Sequence, residues 1–176
     1  MRLTILATAL LAPSLAFAAG GESPTPPTTN TTVQCKDGKV WDVKVEACVD
    51  ARESSLDDDT RYQAVRELAY AGRYDEAQKV LAAMSDQNDD RVLTYLGFTH
   101  RKMGNSTLGM VFYDQALETN PDNLLARSYM GQAFVEAGDM QLARAQLTEI
   151  RTRGGRGTWA EVSLRMAIDS GTGYSY

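Results

Sequence analysis

The sequence predicts an all-α fold: about three stacked helix-turn-helix units, a capping helix at the C-terminal end and a small cystine-closed loop at the N-terminal end. Three observations carry this expectation. Gly72, Gly104 and Gly138 recur at spacings of 32 and 34 residues. Apolar residues flank each of these glycines at helical spacing on both sides, which is the pattern of two amphipathic helices joined by a tight turn. The 176-residue chain is 43% hydrophobic with only 14 Gly and 5 Pro, enough apolar surface for a core and too little Gly and Pro for a wholly disordered chain.

The elements follow in order. Met1-Arg2 is a short basic start, Leu3 to Leu11 is an apolar run, and Ala16-Phe17-Ala18 is the small-x-small pattern that signal peptidases read. Residues 1–18 are therefore read as a signal peptide cleaved after Ala18 or Ala19, since the run is far shorter than the roughly 20 residues that span a bilayer. No transmembrane segment and no lipidated cysteine at the cleavage point are expected. The mature protein belongs in the periplasm or is secreted. Residues 19–33, with GGESPTPPTTNTT at their centre, lack large apolar side chains and read as a disordered linker.

Residues 34–50 hold the two cysteines, Cys35 and Cys48. Two Cys in an exported chain most simply pair with each other. Asp37-Gly38 is a turn signal, and Val40-Trp41 and Val43 to Val45 are strand formers. Closing so short a loop stabilises by roughly 3 kcal/mol in the chain-entropy model, standing in for a core that this patch is too small to own. The Gly-aromatic-Asp stretch between the cysteines loosely resembles small cysteine modules, some of which bind chitin-like glycans. Glycan binding in the cell envelope is accordingly the alternative function.

Helices are predicted over 60–71, 74–84, 91–103, 106–118, 124–137 and 140–151, grouped into units at 58–89, 90–123 and 124–153 within a domain spanning 57–169. The glycine of each unit ends its first helix, where a left-handed residue is favoured. Gly97, Gly131, Ala77 and Ala143 are small where helices must approach closely. Pro121 stops the second helix of the middle unit. Thr158-Trp159-Ala160-Glu161 is a capping-box pattern that opens a last helix, 158–169, expected to cover the end of the stack. Trp159, Val162 and Met166 share one of its faces, with Leu164 and Ile168 adjoining. Residues 170–176 read as a flexible tail. The cystine loop is expected to cover the opposite end.

The middle unit carries Leu93, Leu96, Gly97, Gly104, Tyr113, Ala116 and Pro121 at offsets that resemble the tetratricopeptide repeat family, whose unit is 34 residues long. It departs at His100 and Gly109, where the family prefers Tyr and Ala. The first unit departs further, with Arg61 and Val65 at its first two signature offsets and no closing Pro. The resemblance implies a right-handed superhelical stack whose first helices line a concave groove. In that frame the groove offsets fall on Tyr62, Arg66, Arg91, Tyr95, Phe98, Tyr129 and Gln132. Aromatic and Arg side chains of this kind dominate binding hot spots. Some family members clamp a partner's carboxylate with Lys and Asn at such offsets; Tyr62, Arg66, Tyr95, Leu125 and Tyr129 stand there in this chain, so that activity is not carried over.

The remaining chemistry is sparse. With 18 Lys+Arg against 23 Asp+Glu the net charge is −5, which disfavours general nucleic-acid binding. One His and two Cys exclude multi-histidine metal sites and four-cysteine zinc ribbons. His100 is read as packed between helices. Asp57-Asp58-Asp59 lacks the alternating ligands of a calcium loop and is read as a helix start. Gly154-Gly155-Arg156-Gly157 has neither a preceding strand nor a following Lys-Ser/Thr, so it is read as a connection and not a phosphate cradle. No catalytic residue, cofactor or metal is expected. The function read from the sequence is an exported interaction module or scaffold that binds a protein or peptide partner, with self-association also open.

Overall fold

The computed structural model describes residues 34–174. The signal peptide and linker assigned to residues 1–33 lie outside the described residues, as do 175 and 176. Two short strands, β1 (Val40–Asp42) and β2 (Ala47–Val49), precede seven helices: α1 (Asp58–Tyr70), α2 (Tyr74–Leu81), α3 (Asp90–Lys102), α4 (Ser106–Thr119), α5 (Leu124–Ala137), α6 (Met140–Thr152) and α7 (Trp159–Ser170). The helices pack as sequential antiparallel pairs, α1 with α2, α3 with α4 and α5 with α6, and α7 closes on α5 and α6. The first helices also touch in succession: α1 meets α3, α3 meets α5, and α5 meets α7.

One turn joins each pair. Gly72, Gly104 and Gly138 sit at φ of +76°, +90° and +83°. The residue after each glycine donates its amide to the carbonyl five residues back: Arg73 to Leu68 (2.9 Å), Asn105 to His100 (2.9 Å) and Asp139 to Phe134 (2.8 Å). This satisfies carbonyls that a helix end would otherwise orphan. A Cβ on any of the three would meet nothing within 4 Å, so backbone conformation and not space selects glycine there.

All the helix starts except those of α2 and α6 are capped by the side chain of the short polar residue that precedes them. Asp57 accepts from the Thr60 amide (2.7 Å), Asn123 from Ala126 (2.8 Å) and Thr158 from Glu161 (3.4 Å). The acidic triplet at 57–59 thus begins a helix. The Glu161 carboxylate reaches Gly157 and Arg151 (2.7 Å), so only half of the expected capping box forms. Helix α2 ends at Leu81, three residues short of expectation, because the Gln87 side chain donates to the carbonyls of Leu81 (3.1 Å) and Met84 (2.8 Å) and turns the chain there.

The α3–α4 crossing is made by bare backbone. A Cβ on Gly97 would lie 2.5 Å from the Tyr113 ring and 3.0 Å from the Gly109 carbonyl, and a Cβ on Gly109 would lie 2.8 Å from the Gly97 carbonyl. Glycine at 109 therefore has a packing reason.

Both ends of the stack are covered. Cys35 and Cys48 form a disulfide with Cα atoms 5.7 Å apart, and β1 pairs antiparallel with β2. The hairpin docks on the first pair: Val40, Ala51 and Leu56 join the core of Val65, Leu68 and Val80. The Gly38 amide donates to Glu76 Oε2 (2.8 Å), Arg73 to the Cys35 carbonyl (2.6 Å) and Arg61 Nε to the Ala51 carbonyl (2.7 Å). At the other end α7 buries Ala160, Ser163, Leu164 and Ala167, whereas Met166 is exposed and Trp159 and Val162 are half-buried. The buried stripe thus lies one step round from the face formed by Trp159, Val162 and Met166, since Leu164 fills the notch left by Gly131, where a Cβ would come within 2.6 Å of it.

Candidate functional site

Helical spacing aligns one stripe on each first helix. On α1 it runs Tyr62, Arg66, Tyr70; on α3, Arg91, Tyr95, Phe98, Lys102; on α5, Tyr129, Gln132, Glu136. Because α1, α3 and α5 lie side by side, these stripes merge. The Tyr62 and Tyr95 rings are 5.6 Å apart and edge-on, Tyr95 and Tyr129 6.1 Å, and Phe98 and Tyr129 4.7 Å. Such geometry suits the ring quadrupoles. The Tyr70 hydroxyl shares hydrogen bonds with those of Tyr95 (2.9 Å) and Tyr129 (2.8 Å).

The structure brings all seven sequence-predicted groove residues onto this side, but not all to the surface. Tyr95, Phe98, Tyr129 and Gln132 have no exposed area and Tyr62 is 7% exposed. Their size explains this: rings on three adjacent helices are long enough to meet, and on meeting they form core. Tyr95, Phe98 and Tyr129 are therefore core rather than exposed groove lining, and the Gln132 Oε1 is taken by the Tyr174 amide. Burial, with Tyr70 alongside, drives the Tyr95 phenol well above its ordinary pKa. Arg66 and Arg91 are half-buried at the rim, their guanidinium groups 5.8 and 5.1 Å from the centre of the Tyr62 ring. Arg91 also pairs with Asp89 (2.9 Å) and Asp59 (2.8 Å), and those hydrogen bonds raise its pKa further.

The sequence reasoning missed Tyr70, Lys102 and Glu136. Each continues a stripe by one turn, four residues beyond Arg66, Phe98 and Gln132, and that spacing was the available signal. Lys102 Nζ lies 5.9 Å from the centre of the Phe98 ring, and burial, then Arg101, lower its pKa. Glu136 pairs with Arg101 (2.5 Å), whose side chain is wholly buried.

Within residues 170–176, read from the sequence as a flexible tail, Gly171 at φ +70° ends α7 and the chain up to Tyr174 folds back. Lys102 Nζ donates to the Tyr174 carbonyl (2.9 Å), the Tyr174 amide donates to Gln132 Oε1 (3.3 Å), and the Tyr174 ring stands edge-on to Trp159 at 5.1 Å.

Other candidates fall to structural roles. His100 is half-buried and stacks on Phe112, 5.5 Å away. Gly154 repeats the turn of the helix pairs, with the Gly155 amide bonded to the Ile150 carbonyl (2.9 Å), and Arg153 pairs with Asp122 and Glu149. Among the described residues no cluster of His, Cys, Asp or Glu could hold a metal ion, and no helix is long and apolar enough to cross a membrane. The disulfide is consistent with an oxidising, extracytoplasmic compartment. Compared with known proteins, the sequence matches no family model, no curated protein and no solved structure.

Proposed function

We propose that this chain is an exported protein-interaction module of the tetratricopeptide kind, a right-handed superhelical stack that holds a peptide segment of a cell-envelope partner against the aligned faces of α1, α3 and α5. The observation that carries the reading is the merging of three helix stripes into one continuous aromatic floor edged by Arg66 and Arg91. The 32- and 34-residue glycine period and the recurring turn support the family assignment. The buried aromatic layer sets Arg66 and Arg91 in place at the rim, and arginine pairs bidentately with carboxylates. The fitting partner is thus an extended or helical segment that offers carboxylates.

Crosslinking in the native envelope followed by capture of the protein identifies the partner. Arg66→Ala should then weaken binding by about 1–3 kcal/mol, the range of a hot spot. Gln115→Ala, on the exposed side of α4, should leave binding intact. Tyr95→Ala does not report on contact, because removing a fully buried aromatic costs about 3–5 kcal/mol of stability. Capture that survives Arg66→Ala but is lost with Gln115→Ala overturns the face assignment.

A further inference from the structure

The stripes on α3 and α5 end in a pair of groups that grip a single residue of main chain. Gln132 Oε1 accepts the Tyr174 amide and Lys102 Nζ donates to the Tyr174 carbonyl, so both main-chain polar groups of one residue are satisfied by side chains of different helices. Gln132 is wholly buried and its amide nitrogen sits among Ser128 and Ser163 at 3.4 and 3.5 Å, which aims its oxygen outward at the segment. At the preceding position a Cβ on Gly173 would come within 1.9 Å of Glu136 Oε1, so any side chain there must displace the carboxylate that pairs with Arg101. The following contact is aromatic, Tyr174 against Trp159.

We propose that Lys102, Gln132, Glu136 and Trp159 form a peptide site that reads glycine followed by an aromatic residue, and that the chain's own residues 173–174 are its resident, removable occupant. The inference deepens the interaction reading and rests on it. A backbone grip is indifferent to whose backbone it holds. Specificity comes from the space denied at position 173 and the ring offered at 174. The hold is light, because two main-chain hydrogen bonds must offset the ordering of a glycine-rich segment, Gly171 to Gly173. Segments of this kind belong to the low-stability end of a native structure, where a competitor can replace them.

The test uses the full chain and a fluorescein-labelled peptide with the sequence of residues 169–176. An intramolecular segment acts at roughly millimolar effective concentration, so the wild-type protein should show almost no change in peptide anisotropy when the peptide is micromolar. Gly173→Asp places a side chain and a charge against Glu136, expels the resident segment, and should raise affinity for the added peptide by about tenfold or more on the same mass-action ground. Adding Lys102→Met, which keeps the apolar stem, should reverse that gain. In the wild type the Tyr174 amide should exchange with deuterium well below the free-peptide rate. Equal peptide binding by wild type and Gly173→Asp, a gain insensitive to Lys102→Met, or free-peptide exchange at Tyr174 each overturns the proposal. None of these readouts needs an external partner, so failure here leaves capture through Arg66 standing, and failure of that capture leaves these results standing.

Discussion

Placing one methyl group at the α3–α4 crossing offers a quantitative trial of the packing. In Gly97→Ala the new Cβ sits 2.5 and 2.6 Å from two carbons of the Tyr113 ring and 3.0 Å from the Gly109 carbonyl. Carbon atoms in contact prefer about 3.5–4.0 Å, so the ring or the helix must move by about 1 Å. Tyr113 is fully buried and its hydroxyl lies 3.4 Å from Arg101 Nε, so it has little room to give. Overpacking of this kind costs about 1–3 kcal/mol. Alanine's better helix propensity returns about 1 kcal/mol, leaving a net loss of about 0–2 kcal/mol. Urea denaturation followed by far-ultraviolet circular dichroism gives the number. The decisive measurement is a double-mutant cycle with Tyr113→Leu, which removes the ring but not the Gly109 carbonyl. Gly97→Ala should cost less in that background, by about 0.5 kcal/mol or more. Strict additivity, or a Gly97→Ala protein more stable than the wild type, refutes the close-crossing account.

Replacing both Cys35 and Cys48 with Ser should destabilise the docked hairpin by about 3 kcal/mol, seen as faster exchange of the Gly38 amide than of amides in α4, and a non-reduced digest of the native protein should yield the linked peptides. The hairpin should also loosen in acid. Its anchor Glu76 has a folded pKa below the ordinary 4.5, held down first by the Arg73 hydrogen bonds and then, against the cost of burial, by the Gly38 amide. A depressed carboxylate contributes stability that is fully present above pH 4.5 and is lost as pH falls through the lower folded value. Protection of the Gly38 amide, measured against its free-peptide exchange rate at the same pH, should therefore fall below pH 4.5 in the wild type, and Glu76→Gln should flatten that dependence.

The parts of the fold written in local chemistry could be read from the sequence. Gly72, Gly104 and Gly138 mark turns because only glycine adopts their backbone conformation without strain, a property of the residue itself. The cystine pairing was readable for the same reason, with two cysteines and one compartment leaving a single simple solution. The candidate site was half legible. The resemblance to the repeat family put Tyr62, Tyr95 and Tyr129 on one side, but whether a ring faces solvent depends on what the neighbouring helix brings to it. Tyr70 decides this for Tyr95 and Tyr129 from 25 and 59 residues away. The docking of Tyr174 was not legible at all. Gly171 to Gly173 has the composition of a free tail, and only the joint placement of Lys102 and Gln132 gives it somewhere to go.

The hydroxyl of Tyr70 has a consequence for how this molecule comes apart. A stack of helix pairs that touch only their neighbours can fray from either end, pair by pair, like a chain of separately hinged links. Here one phenol on the first pair bonds at once to the second and the third. Undocking the first pair thus removes a partner from two buried tyrosines in the pairs that remain, and the loss is felt across the whole stack. The three pairs are latched together, so opening at the N-terminal end and opening at the middle should share one midpoint and one denaturant slope.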